Sequence, residues 1–352
     1  FVIIISLFSL GLFFSLVSTS LIVSDKLDTN NYFFFFKHLA YIFIGIIVLI
    51  FFSSLSKENL FKISFYLFLI SLFLLFLVPV LGTEVKGSKR WLNLFFLPRF
   101  QPIELVKPFI IIFIATILCS EKSFNIYFKY LLTFIAIVPT CLLLMIQPDI
   151  GQTLLIFLAW ATLVFISGIS LPIILTFFSF SLLSLIYMVF FIPKFTYIKN
   201  RILSFFNPND GTHNFQSDKA IDAISSGGYF GKGIGEGTLK NRVPEAHTDY
   251  IISIISEEFG VVAIMLLLIL FLFFIYMVFK KIYLEKNEKV KLILTGTVCL
   301  IIFQALIHIG VNIRLFPTTG MTLPFLSYGG SSIVGVSILS GVILNLTKRK
   351  IN

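Results

Sequence analysis

The sequence predicts an all-α fold: a polytopic membrane protein of about ten transmembrane helices with a large extracytoplasmic loop. Of the 352 residues, 58% are hydrophobic and only 12% charged, and the mean hydropathy is +1.01. A soluble domain carries about a quarter of its residues as charge, so the composition excludes a water-soluble enzyme, a disordered chain and a disulfide scaffold. Apolar runs recur along the whole chain at the ~20 residues that a helix needs to cross ~30 Å of hydrocarbon. None shows the ten-residue alternation of a barrel strand, and within lipid only helices or closed barrels satisfy the backbone.

The runs expected to span are 1–23, 33–54, 64–82, 103–120, 130–146, 150–168, 171–193, 250–279, 292–313 and 324–346, within a single domain over 1–352. The chain opens at Phe1 inside an apolar run that lacks a basic leader and a small-residue cleavage site. A first span preceded by a short cytoplasmic segment is therefore expected, rather than a signal peptide. Lys280, Lys281, Lys286, Lys289 and Lys291 crowd one short loop, and Lys348, Arg349 and Lys350 form the tail, so both termini are placed in the cytoplasm. Loops on that side carry 12 Lys and Arg against 15 on the other, of which seven sit in the long 194–250 segment. Only Glu58, Glu121, Glu285 and Glu288 are cytoplasmic, leaving 13 acidic residues at the outer ends. Polar chemistry is thus expected outside.

The net charge of +10 is spread singly or in juxtamembrane clusters, which lipid headgroups and orientation explain better than nucleic acid. Cys119, Cys141 and Cys299 all lie in apolar runs and read as small hydrophobes. Phe occurs 44 times, a skew with no chemistry of its own.

Within the 194–250 loop, residues 197–206 place bulky apolar groups beside Lys199 and Arg201 and suit a helix lying in the interface. A turn is expected at 207–211, a second helix near 215–225, and irregular backbone over the glycine-rich 227–237. Those glycines are not a nucleotide loop, because no strand precedes them and Lys232 is followed by Gly.

Two spans begin with Gln-Pro and an acid: Gln101-Pro102-Ile103-Glu104 and Gln147-Pro148-Asp149. Helix capping explains both, but not Lys107, one turn inside a span, which points to a polar vestibule. Lys86, Lys89, Arg90 and Arg99 surround Trp91 just before that span. Trp91 alone is an interfacial anchor, and the cations match a pyrophosphate headgroup chemically. Glu245, His247 and Asp249 end the long loop and lead into a span carrying Glu257 and Glu258. Asp249, a carboxylate at the water boundary, suits a general base acting on a substrate anchored in lipid, whereas Glu257 and Glu258 read as structural. His38 and His308 read as bundle packing, and His213 as a free loop residue. Ser327-Tyr328-Gly329-Gly330-Ser331-Ser332 is either close helix packing or a cavity lining.

Together, KGSKRWL at 86–92, QPIELVK at 101–107, QPDIGQ at 147–152, PEAHTDYI at 244–251, EEFG at 257–260 and PTTGMTLPFLSYGGSS at 317–332 resemble the FtsW/RodA/SpoVE (SEDS) family over essentially the whole chain. PEAHTD and TLP look more like the cell-division branch than the elongation branch. The resemblance implies a ten-helix peptidoglycan glycosyltransferase that polymerises lipid II at the outer face of the bacterial cytoplasmic membrane, at the division septum. It implies a class B penicillin-binding protein and other division-complex membrane proteins as partners. The family's essential Asp corresponds to Asp249 and its required basic residues to Arg99 and Lys107. Arg90, Trp91, Gln147, Asp149, His247 and Ser327 join them as substrate-binding candidates. Glu104, Glu245, Glu257, Glu258, Gly329 and Gly330 are expected to support the site. Ile103 departs from the small residue the family commonly has there. No cofactor is required by this reading, with a divalent cation, Mg or Mn, as the one candidate helper. The competing functions are a lipid II flippase, the elongation-type polymerase and a non-catalytic scaffold. No inverted repeat and no polar row to the cytoplasmic end is visible, as a flippase would have.

Overall fold

The computed structural model describes residues 1–19, 33–85, 88–94, 98–120, 125–206, 215–238, 243 and 245–348. Residues 20–23 of the first run, Lys86, the turn at 207–211, His213, Pro244, Arg349 and Lys350 lie outside the described residues. The helices, in order, are α1 (Val2–Thr19), α2 (Phe33–Ser54), α3 (Lys57–Leu81), α4 (Pro102–Leu118), α5 (Ile126–Ile146), α6 (Ile150–Ile166), α7 (Leu171–Phe191), α8 (Thr196–Phe206), α9 (Phe215–Gly227), α10 (Ile251–Leu284), α11 (Glu288–Asn312) and α12 (Gly330–Thr347). Helices α8 and α9 belong to the long loop, and the other ten follow the ten apolar runs. Seven of those ten are long and apolar enough to cross a bilayer on length and composition alone.

Differences from the predicted limits have local causes. Helix α3 starts seven residues early because Ser56 caps it, its Oγ accepting from Asn59 N at 3.2 Å. Asn287 does the same for α11, accepting from Val290 N at 3.1 Å. The last span starts six residues late, at Gly330, because Ser327 Oγ accepts from Leu323 N and so closes a turn ahead of it.

Helices α4, α11 and α12 form the centre, with α11 and α12 mostly buried along their apolar windows. Small residues allow the contact between α2 and α12: a Cβ on Gly45 would meet Ser337 Oγ at 2.6 Å, and one on Gly341 would meet Leu49 O at 2.8 Å. Helix α7 lies at the rim, with Val189 its one buried residue. Outward faces remain apolar, for example Phe43, Ile47 and Ile50 on α2 and Leu266 and Leu272 on α10, as suits contact with acyl chains.

Two loop features were not predicted. The strands β1 (Thr83–Val85) and β2 (Ser88–Trp91) pair antiparallel, and Leu92 pairs with Phe100 ahead of α4. Helix α10 is also broken at Gly260 (φ +77°, ψ −179°). The glycine-rich segment fills the break: Lys232 N and Gly233 N donate to the carbonyls of Glu257 (2.9 Å) and Glu258 (3.0 Å), while Val261 N and Val262 N donate to Gly228 O (3.0 Å) and Tyr229 O (3.2 Å). The helical hydrogen bonds lost at the break are replaced, as a buried backbone requires.

This fit requires glycine. At Gly231 (φ +79°) a Cβ would lie 2.1 Å from Glu258 O, whereas at Gly235 (φ +85°) it would meet nothing within 4 Å. Gly231→Ala is therefore expected to cost about 3 kcal/mol or more, combining clash and strain, and Gly235→Ala about 1 kcal/mol from strain alone. Unfolding midpoints of the purified variants measure the difference.

Candidate functional site

The loops on the α4 N-terminal side of the bundle enclose a cavity of about 860 Å³. One wall is β2 and the segment leading into α4, with Arg90, Trp91 and Arg99; another is α8, with Arg201; the 318–322 loop and the Gly329–Ser332 start of α12 complete it. Lys37 and Tyr41 of α2 also reach the cavity, as do Glu245 and Asp249 from the end of the long loop. Among the described lining residues four cations thus face two carboxylates, a balance that favours an anion.

The Asp249 segment is held from three directions. Asp249 N donates to Glu245 O (3.0 Å), and its carbonyl accepts from Asn312 Nδ2 at the end of α11 (3.1 Å). Ser327 Oγ donates to Thr248 O (2.6 Å), and Tyr328 N donates to His247 O (3.0 Å). Burial pushes the Tyr250 phenol pKa above its ordinary value; the adjacent Asp249 carboxylate adds to this and Arg201 opposes it.

Arg90 ties β2 to the α5–α6 turn. Its guanidinium donates to Gln147 O (3.3 Å) and Pro148 O (2.5 Å) and lies 3.6 Å from Asp149 Oδ2. Gly320 (φ +72°) lies beside both Asp249 and Arg90: a Cβ there would sit 3.5 Å from Asp249 Oδ2 and 3.6 Å from Arg90 Nη1. A carboxylate and a guanidinium therefore both lie beside a residue with no side chain.

Several candidates lie beneath the lining instead of on it. Lys107 is 1% exposed, its Nζ 2.7 Å from Glu104 Oε2 and donating to Gln304 Oε1 at 2.9 Å. Gln304 Nε2 donates to Thr322 O (3.0 Å), and Thr322 Oγ1 is 2.6 Å from Ser332 Oγ, both residues being on the cavity. In the other direction Glu104 Oε1 accepts from Gln152 Nε2 (3.2 Å), and Asp149, the α6 cap, accepts from Gln152 N (3.3 Å) and faces Arg90. One polar chain thus runs under the cavity floor from Arg90 to Ser332. The expectation that Lys107 faces an open vestibule is corrected by this burial: the membrane charge is satisfied by protein.

Gln147, Asp149 and Ser327 are likewise buried and act as ties. The His247 ring packs on Tyr328 (5.6 Å) and Phe34 (5.7 Å). Gly330 permits the approach of the Tyr41 ring, 2.5 Å from a would-be Cβ. Glu257 pairs with Lys232 (3.5 Å), and Glu258 Oε2 accepts from Gly235 N (3.0 Å), so both serve the glycine segment.

Sequence reasoning did not include Arg201, Lys37, Tyr250 or Gln304 among the site residues. Arg201 had a readable signal, a cation on the amphipathic helix of the outer loop, where Lys199 is the other; it donates to Thr318 O at 2.8 Å. Gln304, a polar residue deep in an apolar run, had another.

Among the described residues no three His, Cys, Asp or Glu side chains cluster as a metal site. Among the described residues lining the cavity, the carboxylates are those of Glu245 and Asp249.

Fold and cavity define a class: a helical membrane protein whose loops close a cationic, carboxylate-bearing cavity at one end of the bundle. Comparison with known proteins gives the family. A family model described as cell cycle protein (FtsW/RodA/SpoVE) matches residues 1–352, and the chain belongs to that family. It is 33% identical over 305 residues to the probable peptidoglycan glycosyltransferase FtsW of Caulobacter vibrioides, covering 85% of this chain and 75% of that one. The protein of the same name from Buchnera aphidicola (subsp. Acyrthosiphon pisum) is 32% identical, with 97% and 86% covered. A solved peptidoglycan synthase complex, described as coordinating polymerization and crosslinking, contains a chain with TM-score 0.78, 26% identity and coverage of 98% and 96%. The rod shape determining protein RodA of Thermus thermophilus gives TM-score 0.70 at 25% identity, with 98% and 94% covered.

Removing Lys107 strands the buried Glu104 carboxylate, so Lys107→Met is expected to cost about 3 kcal/mol or more. The double variant with Glu104→Gln should recover part of that loss, read as unfolding midpoints in the same detergent.

Proposed function

We propose that this chain is a peptidoglycan glycosyltransferase that joins lipid II into glycan strands at the outer face of the bacterial cytoplasmic membrane, during septal wall synthesis. The observation that carries the reading is the placing of Asp249 and Arg90 both beside Gly320, inside a cationic cavity at the loop ends of the spans. Such a site accepts an anionic headgroup while its lipid stays in the bilayer.

In the reaction, Asp249 takes the proton of the acceptor's GlcNAc 4-hydroxyl as that oxygen attacks the anomeric carbon of the donor chain. The new glycosidic bond forms as the bond to undecaprenyl pyrophosphate breaks, and direct displacement inverts the anomeric centre. Negative charge growing on the leaving pyrophosphate is met by Arg90 and Arg99, fixed dipoles and charges being the largest usual contribution to such transfers. Lys107, buried in its pair with Glu104, acts by holding the cavity floor. A Mg or Mn ion arriving with the pyrophosphate would find oxygen donors in Glu245 and Asp249, a fit for a cation that takes one or two carboxylates plus substrate phosphates, and would supply further positive charge.

The solved synthase complex supports a class B penicillin-binding protein as the partner that crosslinks the product; other division-complex membrane proteins complete the expected assembly. A lipid II flippase accounts for the residues less well. The buried charges it would need are engaged, Glu104 with Lys107 and Glu257 with Lys232.

The test is strand formation from purified lipid II by the protein with its penicillin-binding partner. Wild type is expected to make polymer, and Asp249→Ala to lose about 100-fold or more while remaining folded and partner-bound. Equal polymer from both would remove Asp249 as the base, and lipid II movement across vesicles without polymer would replace the polymerase reading.

A further inference from the structure

We infer that Arg201 and Tyr250 form a second anion-binding subsite of the cavity, which takes the pyrophosphate of the acceptor lipid while Arg90 and Arg99 take that of the donor. The inference deepens the reaction proposed above and rests on it.

Direct displacement brings two lipid-linked pyrophosphates into one cavity of about 860 Å³. Like charges that close repel strongly, so each needs its own cation. The lining cations come from separate parts of the chain. Arg90 and Arg99 belong to β2 and the entry to α4, whereas Arg201 rides on α8. Arg201 is fixed to the carbonyl of Thr318, two residues before Gly320, beside which Arg90 and Asp249 both lie. The base is thereby placed beside two distinct cationic groups, as a transfer between two anionic substrates requires.

Tyr250 is the independent observation. It lines the same cavity and is 1% exposed, and its hydroxyl has no hydrogen-bond partner among the described residues. A buried hydroxyl without a partner destabilises a fold, and phenylalanine would pack equally well. An acceptor oxygen supplied by the ligand accounts for the tyrosine.

The experiment uses the protein with its penicillin-binding partner in nanodiscs and measures initial rates against lipid II concentration, together with direct binding of undecaprenyl pyrophosphate. Arg201→Ala is expected to raise the half-saturating lipid II concentration about tenfold or more with little change in kcat, and Arg201→Lys to recover part of it, since the charge remains but the planar fork is lost. Tyr250→Phe is expected to raise half-saturation about threefold or more while leaving the unfolding midpoint unchanged or higher, because an unsatisfied hydroxyl is removed. A purely structural role predicts the reverse: a lower midpoint or lower kcat at unchanged half-saturation, and either result overturns the subsite. Phosphatidylglycerol displacing the bound pyrophosphate lipid at equal affinity would also overturn it, by reassigning the site to a membrane headgroup. Should wild type make no polymer, the proposed function fails separately. The subsite then stands if wild type binds two undecaprenyl pyrophosphates and Arg201→Ala only one, and falls if both bind the same number.

Discussion

A charge inside a membrane bundle must be satisfied by the protein around it, and the Glu104–Lys107 pair is where this chain meets that demand. Satisfying it required partners from three further helices: Gln152 on α6, Gln304 on α11 and, through Thr322, the start of α12. The resulting chain of contacts links both walls of the cavity above it. The position of Arg90 relative to the 318–322 loop is therefore set by groups the substrate never touches. Lys107, at 1% exposure, thus acts on the cavity through the groups it holds in place.

The same rule governs the backbone. Helix α10 breaks at Gly260, and a broken helix in lipid leaves amides and carbonyls unpaired unless another segment supplies them. The segment after α9 does so residue by residue. The glycine segment and the Asp249 segment are each anchored by hydrogen bonds of their own. Glu257 and Glu258 complete the clasp through Lys232 and Gly235.

Most of the bundle was legible in the sequence, because span length and apolar composition are properties of contiguous residues. The loop helices over 196–206 and 215–227 were legible for the same reason. The pairing of β1 with β2 was not, since strands of three and four residues carry too little alternation to register. The break at Gly260 was hidden because apolar runs flank EEFG on both sides at span length, and only the tertiary fit of residues 227–233 reveals it. Asp249, Arg90, Trp91 and Arg99 were found as cavity residues from residue type and position near a span end. Lys107 was found as unusual but placed on the wrong side of the lining, because burial depends on Gln304, 197 residues away. Arg201 was seen only as an interfacial cation, since nothing local indicates which way a helix lying along a membrane turns.

These constraints converge on one arrangement: a rigid polar floor, loops pinned to it, and a carboxylate and a guanidinium beside a glycine. The most direct measurement is a cryo-EM structure of Asp249→Ala, with its partner, trapped with lipid II in nanodiscs. The account predicts lipid pyrophosphate on Arg90 and Arg99, with an acceptor sugar hydroxyl facing position 249 above Gly320. Density for lipid II threaded between the spans toward the opposite end of the bundle, with this cavity empty, would contradict it.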